Sequence, residues 1–188
     1  MNYNNILLIG NTYIVLKTDN QKYCVELSKD IIKNGVICNY ELFIQKYISI
    51  FNKNKLSKLF WNKDIKIIYN VLNNKKDVEQ IYNSFKDLNY RKVVLISEKN
   101  YLDVNKKNSY LIYDKIIRLL YIDKYNTKKI LILDREIFLP HEIKQLIFNR
   151  CQNKTLIIIG CIDKELISEK LDYYYYEDFN EFFLENNL

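Results

Sequence analysis

Glycine and proline are scarce in this chain: 188 residues contain three glycines and one proline. That excludes collagen-like, linker-rich and repeat-turn architectures, and it leaves little with which to build glycine-rich phosphate loops. Alanine is absent, and there are only four arginines among 29 basic residues. The surplus of Asn, Ile, Lys and Tyr is the bias of AT-rich coding, so no single Lys, Asn or Tyr is by itself a functional signal. One histidine and four cysteines (Cys24, Cys38, Cys151 and Cys161) without a C-x-x-C pair argue against a zinc site. We expect free, buried thiols in a reducing compartment. The first residues, Met-Asn-Tyr-Asn-Asn, carry no positive charge, and the apolar run Ile6–Ile9 is too short for a signal peptide or a membrane span.

What is present is a core. Hydrophobic residues make up 48% of the chain, enough for one domain or two small ones. The net charge of +6 comes from 29 basic and 23 acidic residues that are interspersed, with no run of five or six like charges. A nucleic-acid-binding tail is therefore not indicated.

Hydrophobic periodicity orders the elements. Ile6–Ile9, Thr12–Thr18 and Lys22–Ser28 are expected strands, the last two a hairpin about Asp19-Asn20. Asn34-Gly35 marks a turn before a short extended piece, Val36-Ile37. Asn39 caps an amphipathic helix carrying Leu42, Phe43, Tyr47, Ile50 and Phe51, and Asn74 caps a second carrying Val78, Ile81, Tyr82, Phe85 and Leu88. Ile65–Leu72 and Lys92–Ile96 are buried strands, the latter expected at a central position covered on both sides. Ser109–Tyr113, Ile116–Ile122, Lys129–Leu133 and Thr155–Ile159 are further strands. Between the last two, a helix begins near Leu139-Pro140 and turns Ile143, Leu146, Ile147 and Cys151 inward. A short helix to Leu171 is expected after Asp163, and Phe179, Phe182 and Phe183 fall in helical register in the acidic tail. The polar, lysine-rich stretch Glu98–Asn108 separates two halves, which we place at 1–104 and 105–188.

The order β-β-β-α-β-α-β of the first half resembles the ribonuclease-H-like unit that actin, Hsp70 and sugar kinases use twice. Local sequence strengthens the likeness. Ile32–Glu41 reads I-K-N-G-V-I-C-N-Y-E, similar to the segment I-[KR]-[DN]-G-V-I-A-D-[FY]-[DE] of the bacterial actin MreB. Asp77-Val78-Glu79 matches T-[DE]-V-E at a helix start, Lys92–Glu98 resembles the strand that runs into E-E-P, and Asn11-Thr12 sits where the family has N-T. The matches are collinear over residues 5–114, and FtsA- and PilM-type relatives share much of the pattern.

The departures set the functional expectation. The family holds phosphates on two glycine-rich hairpins and magnesium through an aspartate on each first strand. Here the first turn is Ile9-Gly10-Asn11-Thr12, with no aspartate, and the second is Tyr113-Asp114-Lys115-Ile116-Ile117, with no glycine. Asp114 stands as a vestigial acid. Glu98 matches the glutamate that positions the attacking water in the family, but without phosphate loops we place it at the surface or in a cap, and Lys99 in place of the family's proline weakens the match. Gly160 is all that remains of the adenosine-side G-G. The resemblance implies a shrunken actin-like α/β fold with a reduced second half.

Other candidates weigh less. His141, beside Glu142, is expected to be a solvated polar residue. Asp103, Asp114, Asp134 and Glu136 echo nuclease acids, but two-metal chemistry needs an acid on the first strand, and Ile6–Ile9 has none. Tyr173–Tyr176 before Glu177-Asp178 is expected as a final strand or a contact surface. Asn52–Lys63 holds Lys53, Lys55, Lys58 and Lys63 with Phe60 and Trp61, a solvated loop or a contact for anionic lipid or nucleic acid.

The expectation is thus a non-catalytic, MreB-like scaffold in cell-shape, division or pilus-assembly machinery, with no catalytic, cofactor or metal residues. It would bind a protein partner or itself in the cytoplasm, with peripheral membrane contact as an addition and nucleic acid disfavoured. Two alternatives remain: an ATP-binding actin-like protein with unconventional loops, and a basic nucleic-acid or membrane-surface binder.

Overall fold

A computed structural model describes residues 5–18, 21–53, 63–101, 108–112, 116–152, 154–160 and 164–176. The chain divides into two compact units, residues 1–98 and 99–188.

The first unit is a mixed sheet covered by two helices. Strands β1 (Asn5–Ile9), β2 (Tyr13–Thr18) and β3 (Lys22–Glu26) form an antiparallel meander. A small hairpin, β4 (Ile32–Lys33) and β5 (Val36–Ile37), turns through Asn34 and Gly35, both at positive φ. Helix α1 (Tyr40–Lys53) leads to β6 (Asp64–Tyr69), and α2 (Lys75–Asp87) leads to β7 (Lys92–Ser97). The sheet order is β3-β2-β1-β6-β7, with β6 parallel to β1 and β7 parallel to β6. Both helices begin where sequence places them. Asn39 Oδ1 accepts from Leu42 N at 3.0 Å. Asn74 Oδ1 accepts from the amides of Lys76 and Asp77, while the Asp77 carboxylate accepts from Asn74 N, a reciprocal cap.

Strand alternation sends Leu7, Ile9, Ile14, Leu16, Ile65 and Ile67 to the face packed by Phe43, Tyr47, Ile50, Phe51, Ile81 and Phe85. Phe85 is the hub: the Tyr47, Tyr90 and Phe43 rings lie 4.9, 6.2 and 6.5 Å from it. The hydroxyls of Tyr47 and Tyr90 share a hydrogen bond of 2.5 Å. One placement differs from the sequence reading. The apolar run Lys92–Ile96 is not central; β7 is the edge of the sheet, and β1 is in the middle. A continuous apolar run records how much of each face is covered, not where the strand stands in the order.

The second unit repeats the arrangement. Strands β8 (Ser109–Ile112), β9 (Ile116–Ile122) and β10 (Lys128–Asp134) form a second meander. Helix α3 (Pro140–Cys151), β11 (Leu156–Ile159) and β12 (Tyr173–Tyr176) follow, in the order β10-β9-β8-β11-β12. Here β11 runs parallel to β8, and β12 parallel to β11. Among the described residues this half is shorter at two connections: no hairpin stands between β10 and α3 where the first unit has β4 and β5, and the second crossover is abbreviated. Where the first unit has α2, the second has a 3₁₀ turn at Lys164–Leu166 in place of the expected short helix. Leu166, Ile167 and Leu171 still close the core of Leu111, Leu119, Leu133, Ile143, Ile147 and Leu156. The result is a mixed α/β fold in each unit, compatible with the ribonuclease-H-like arrangement expected from the sequence.

Candidate functional site

In the first unit β1, β6 and β7 run parallel, so their carboxyl ends share one edge of the sheet. In open α/β sheets this edge is where ligands bind. Three polar residues follow the three strands there: Asn11 (5% exposed), Asn70 (0%) and Glu98 (1%). The expectation that Glu98 is a surface or cap residue is therefore corrected. Its carboxylate turns inward and accepts from Val71 N at 3.3 Å. The signal was available, because a polar residue directly after a buried parallel strand lands on this edge rather than in solvent.

Around these residues the chain bonds mostly to itself, although the buried Asn73 Oδ1 has no hydrogen-bond partner among the described residues. Asn70 Nδ2 donates to Asn11 Oδ1 and to the Asn34 carbonyl, both at 3.3 Å, and Asn70 Oδ1 accepts from Leu72 N at 2.9 Å. Asn73 Nδ2 donates to the carbonyls of Gly35 (2.9 Å) and Asn70 (3.0 Å). Gly35 N donates to the Asn11 carbonyl at 3.1 Å. The Asn34-Gly35 turn is thereby strapped to the sheet edge. A Cβ on Gly35 would lie 2.5 Å from Asn70 Nδ2 at a φ of +79°, so only glycine fits.

The turn after β1 is closed in the same way. Gly10 N donates to the Tyr13 carbonyl at 2.9 Å. A Cβ on Gly10 would run into the Tyr13 ring, so this glycine's open side is occupied by the protein's own tyrosine. The corresponding edge of the second unit, with Asp114 after β8 and residues 161–163 after Gly160, lies outside the described residues.

The remaining candidates are scattered. Asp134 ends β10 and accepts from Glu136 N at 2.9 Å, while Asp103 lies outside the described residues. His141 is exposed in the first turn of α3, where Glu142 accepts from Leu139 N at 2.9 Å. With Pro140, Lys144, Glu165 and Glu169 it lines an open hollow of about 600 Å³. Lys53 ends α1 and Lys63 precedes β6, but Lys55, Lys58, Phe60 and Trp61 lie outside the described residues. Tyr173–Tyr176 form β12 as expected, with Tyr173 and Tyr174 exposed. The tail phenylalanines and Cys161 lie outside the described residues. Cys24 and Cys38 are exposed, contrary to expectation, because they fall on solvent-facing positions at the sheet edge and before α1. Cys151 is buried, and burial pushes its thiol up to about 11, so it stays protonated near neutral pH. No group of three His, Cys, Asp or Glu among the described residues is placed to hold a metal, and no described helix is long and apolar enough to cross a membrane.

Two buried cations were not singled out in the sequence. Lys66 on β6 is 2% exposed, and burial draws its ammonium below the ordinary range. Arg118 on β9 is 1% exposed, with Nη1 donating to the Ile116 carbonyl at 3.4 Å. Each interrupts an apolar strand and faces away from its unit's helix-covered core, and that interruption was the available signal.

No protein-family model matches the chain, and no curated protein matches it in sequence. Solved structures do match. EutJ, an ethanolamine utilization protein from Carboxydothermus hydrogenoformans, is similar with a TM-score of 0.64 at 12% identity, over 95% of this chain and 85% of that one. MreB5 of Spiroplasma citri, solved bound to ADP, is similar with a TM-score of 0.50 at 13% identity, over 77% of this chain. The match spans 56% of the MreB5 chain. At this identity the likeness is one of fold: the chain shares its mixed α/β architecture with these MreB and EutJ structures.

Proposed function

We propose that this protein is a non-catalytic actin-fold scaffold that acts by contact with protein partners. One observation carries the reading: the strand-end edge of the first unit is filled by its own side chains. A phosphate cradle needs backbone N–H groups aimed at the ligand and glycines that let it approach. Here the amides of Gly10, Gly35, Val71 and Leu72 are committed to groups of the chain itself, and the open side of Gly10 is taken by Tyr13. The amides of Asn11, Asn70 and Asn73 are neutral and offer weak ligands for magnesium. The MreB resemblance suggests cell-shape, division or pilus-assembly machinery as the setting. The likeness to EutJ over nearly the whole chain supports a compact protein of this size as a workable form of the fold.

A second reading, a scaffold with residual nucleotide binding, is favoured by Glu98, a carboxylate on the edge where the superfamily does its chemistry. Thermal unfolding with and without millimolar Mg-ATP or Mg-ADP separates the two. The first reading expects no change in Tm. A rise that grows with nucleotide concentration would contradict it, since a ligand that binds the native state must stabilise it.

A further inference from the structure

The meander of the second unit ends in β10, which has no strand on its outer side among the described residues. Its ladder to β9 fixes which backbone groups face outward. Asp123 N donates to the Thr127 carbonyl at 3.0 Å, so residues 123 and 127 form a hydrogen-bonded pair. Such pairs alternate along an antiparallel ladder, so Lys129, Leu131 and Leu133 bond toward β9. The backbone groups of Lys128, Ile130, Ile132 and Asp134 therefore turn to the free edge. One exception is the Asp134 carbonyl, which accepts from the amides of Ile137 and Phe138.

The side chains of these four residues share the face turned away from the core, since Leu133 is buried in that core and Leu131 packs against it. Ile132 is 45% exposed. Natural edges are usually blunted by inward-pointing charges, proline or bulges. β10 has no proline, and its charges sit only at its ends: Lys128-Lys129 at the start and Asp134 at the finish. Such a strand is complementary to itself in the antiparallel sense. Pairing two copies about Leu131 sets Lys128 opposite the other copy's Asp134 at both ends, and Ile130 opposite Ile132 between them. Every residue with outward-facing backbone then meets another of the same kind. A parallel pairing would set lysine beside lysine instead. Among the described residues the most exposed large hydrophobics flank this edge, Tyr125 (75%) in the hairpin before β10 and Ile137 (74%) in the turn after it. Antiparallel pairing brings the hairpin of one copy to the turn of the other.

We propose that β10 is a dimerisation edge, at which two copies of this chain join antiparallel across a two-fold axis at Leu131 and merge their second-unit sheets. The inference gives the contact role proposed above a partner, and in that sense rests on it. An isologous contact closes at two copies.

Sedimentation velocity of the full chain across a concentration series, with and without Mg-ATP, tests it. A monomer–dimer equilibrium unaffected by nucleotide is expected. Lys128→Glu or Asp134→Lys alone should raise the dimer dissociation constant about tenfold, because each reverses two symmetry-related pairs. The double variant should restore it. Ile132→Pro should abolish the dimer with the circular dichroism spectrum retained, because the Ile132 amide is not bonded to β9. A wild-type monomer at all concentrations overturns the proposal while leaving the scaffold reading standing. So does a dimer indifferent to all of these variants. Open-ended growth without a dimer plateau, as when β10 meets the β12 edge of another copy, overturns it too. A dimer seen only with Mg-ATP, yet rescued by the double variant, supports the edge and contradicts the nucleotide-free reading.

Discussion

The two units share a strand order, and they differ in how they are closed. In the first, two full helices cover one face, and an aromatic cluster about Phe85 ties them to the sheet. Among its described residues the large exposed hydrophobics are Leu42 and Tyr82, each 39% exposed. In the second, one helix and a 3₁₀ turn do the covering among the described residues, and Tyr125, Ile132, Ile137, Leu139, Tyr173 and Tyr174 are exposed, five of the six on or beside its two edge strands. Shortening a crossover leaves the sheet intact, because strand pairing and the inward face survive it. The apolar residues at and beside its edge strands are available to other molecules. The first unit also has asparagine amides bonded to its own chain at its strand ends.

Substitutions can break this contrast by degrees. The largest loss is expected for Phe85→Ala, which removes the ring that three others meet and should cost about 3–5 kcal/mol in chemical denaturation. Gly35→Ala comes next. It forces a Cβ against Asn70 at positive φ and should cost about 1–3 kcal/mol by unstrapping the Asn34-Gly35 turn, with faster amide exchange at Val71 and Leu72.

Tyr47→Phe should cost about 1 kcal/mol by taking away the hydroxyl partner of Tyr90. It also has a pH signature. Burial, then the neighbouring Tyr90, holds the Tyr47 phenol well above its usual range, and burial raises Tyr90 as well. A folded-state pKa above the unfolded value gives stability that is complete below the unfolded pKa of about 10 and is lost as pH rises beyond it. Wild-type stability should therefore fall above about pH 10, and more steeply than that of Tyr47→Phe, which has one such phenol fewer.

The smallest effect is expected at Asp64, whose carboxylate takes two hydrogen bonds from Arg91, at 2.7 and 2.8 Å. Those bonds hold its pKa below the ordinary range, so the pair stabilises above the unfolded value and fades as pH falls through the acid range. Arg91 is largely exposed, so Asp64→Asn should cost less than about 1 kcal/mol at neutral pH.

Much of the fold was legible in the sequence. Asn39 and Asn74 marked helix starts because a short polar side chain ahead of an amphipathic run has one obvious use, capping. The first hairpin followed from alternation, and the strands of the second half from apolar runs. What periodicity does not carry is position: the run at β7 looked central and is an edge, since apolar content reports covering rather than neighbours. The strand-end network was obscured by composition. Asparagine is so common in this chain that Asn11, Asn70 and Asn73 carried no weight singly, and only the parallel pairing of β1 with β6 brings them together. Gly10 was legible as the one glycine where the resembled family has a phosphate turn, but the Tyr13 ring on its open side depends on a side-chain conformation that spacing does not specify.

The most direct test of the account is a calorimetric titration of Mg-ATP and Mg-ADP into the purified protein. The account predicts no binding heat up to millimolar nucleotide, because the strand-end edge is already occupied by the chain itself. A saturable isotherm would contradict it, and Glu98 and Asp114 would then be the first residues to replace.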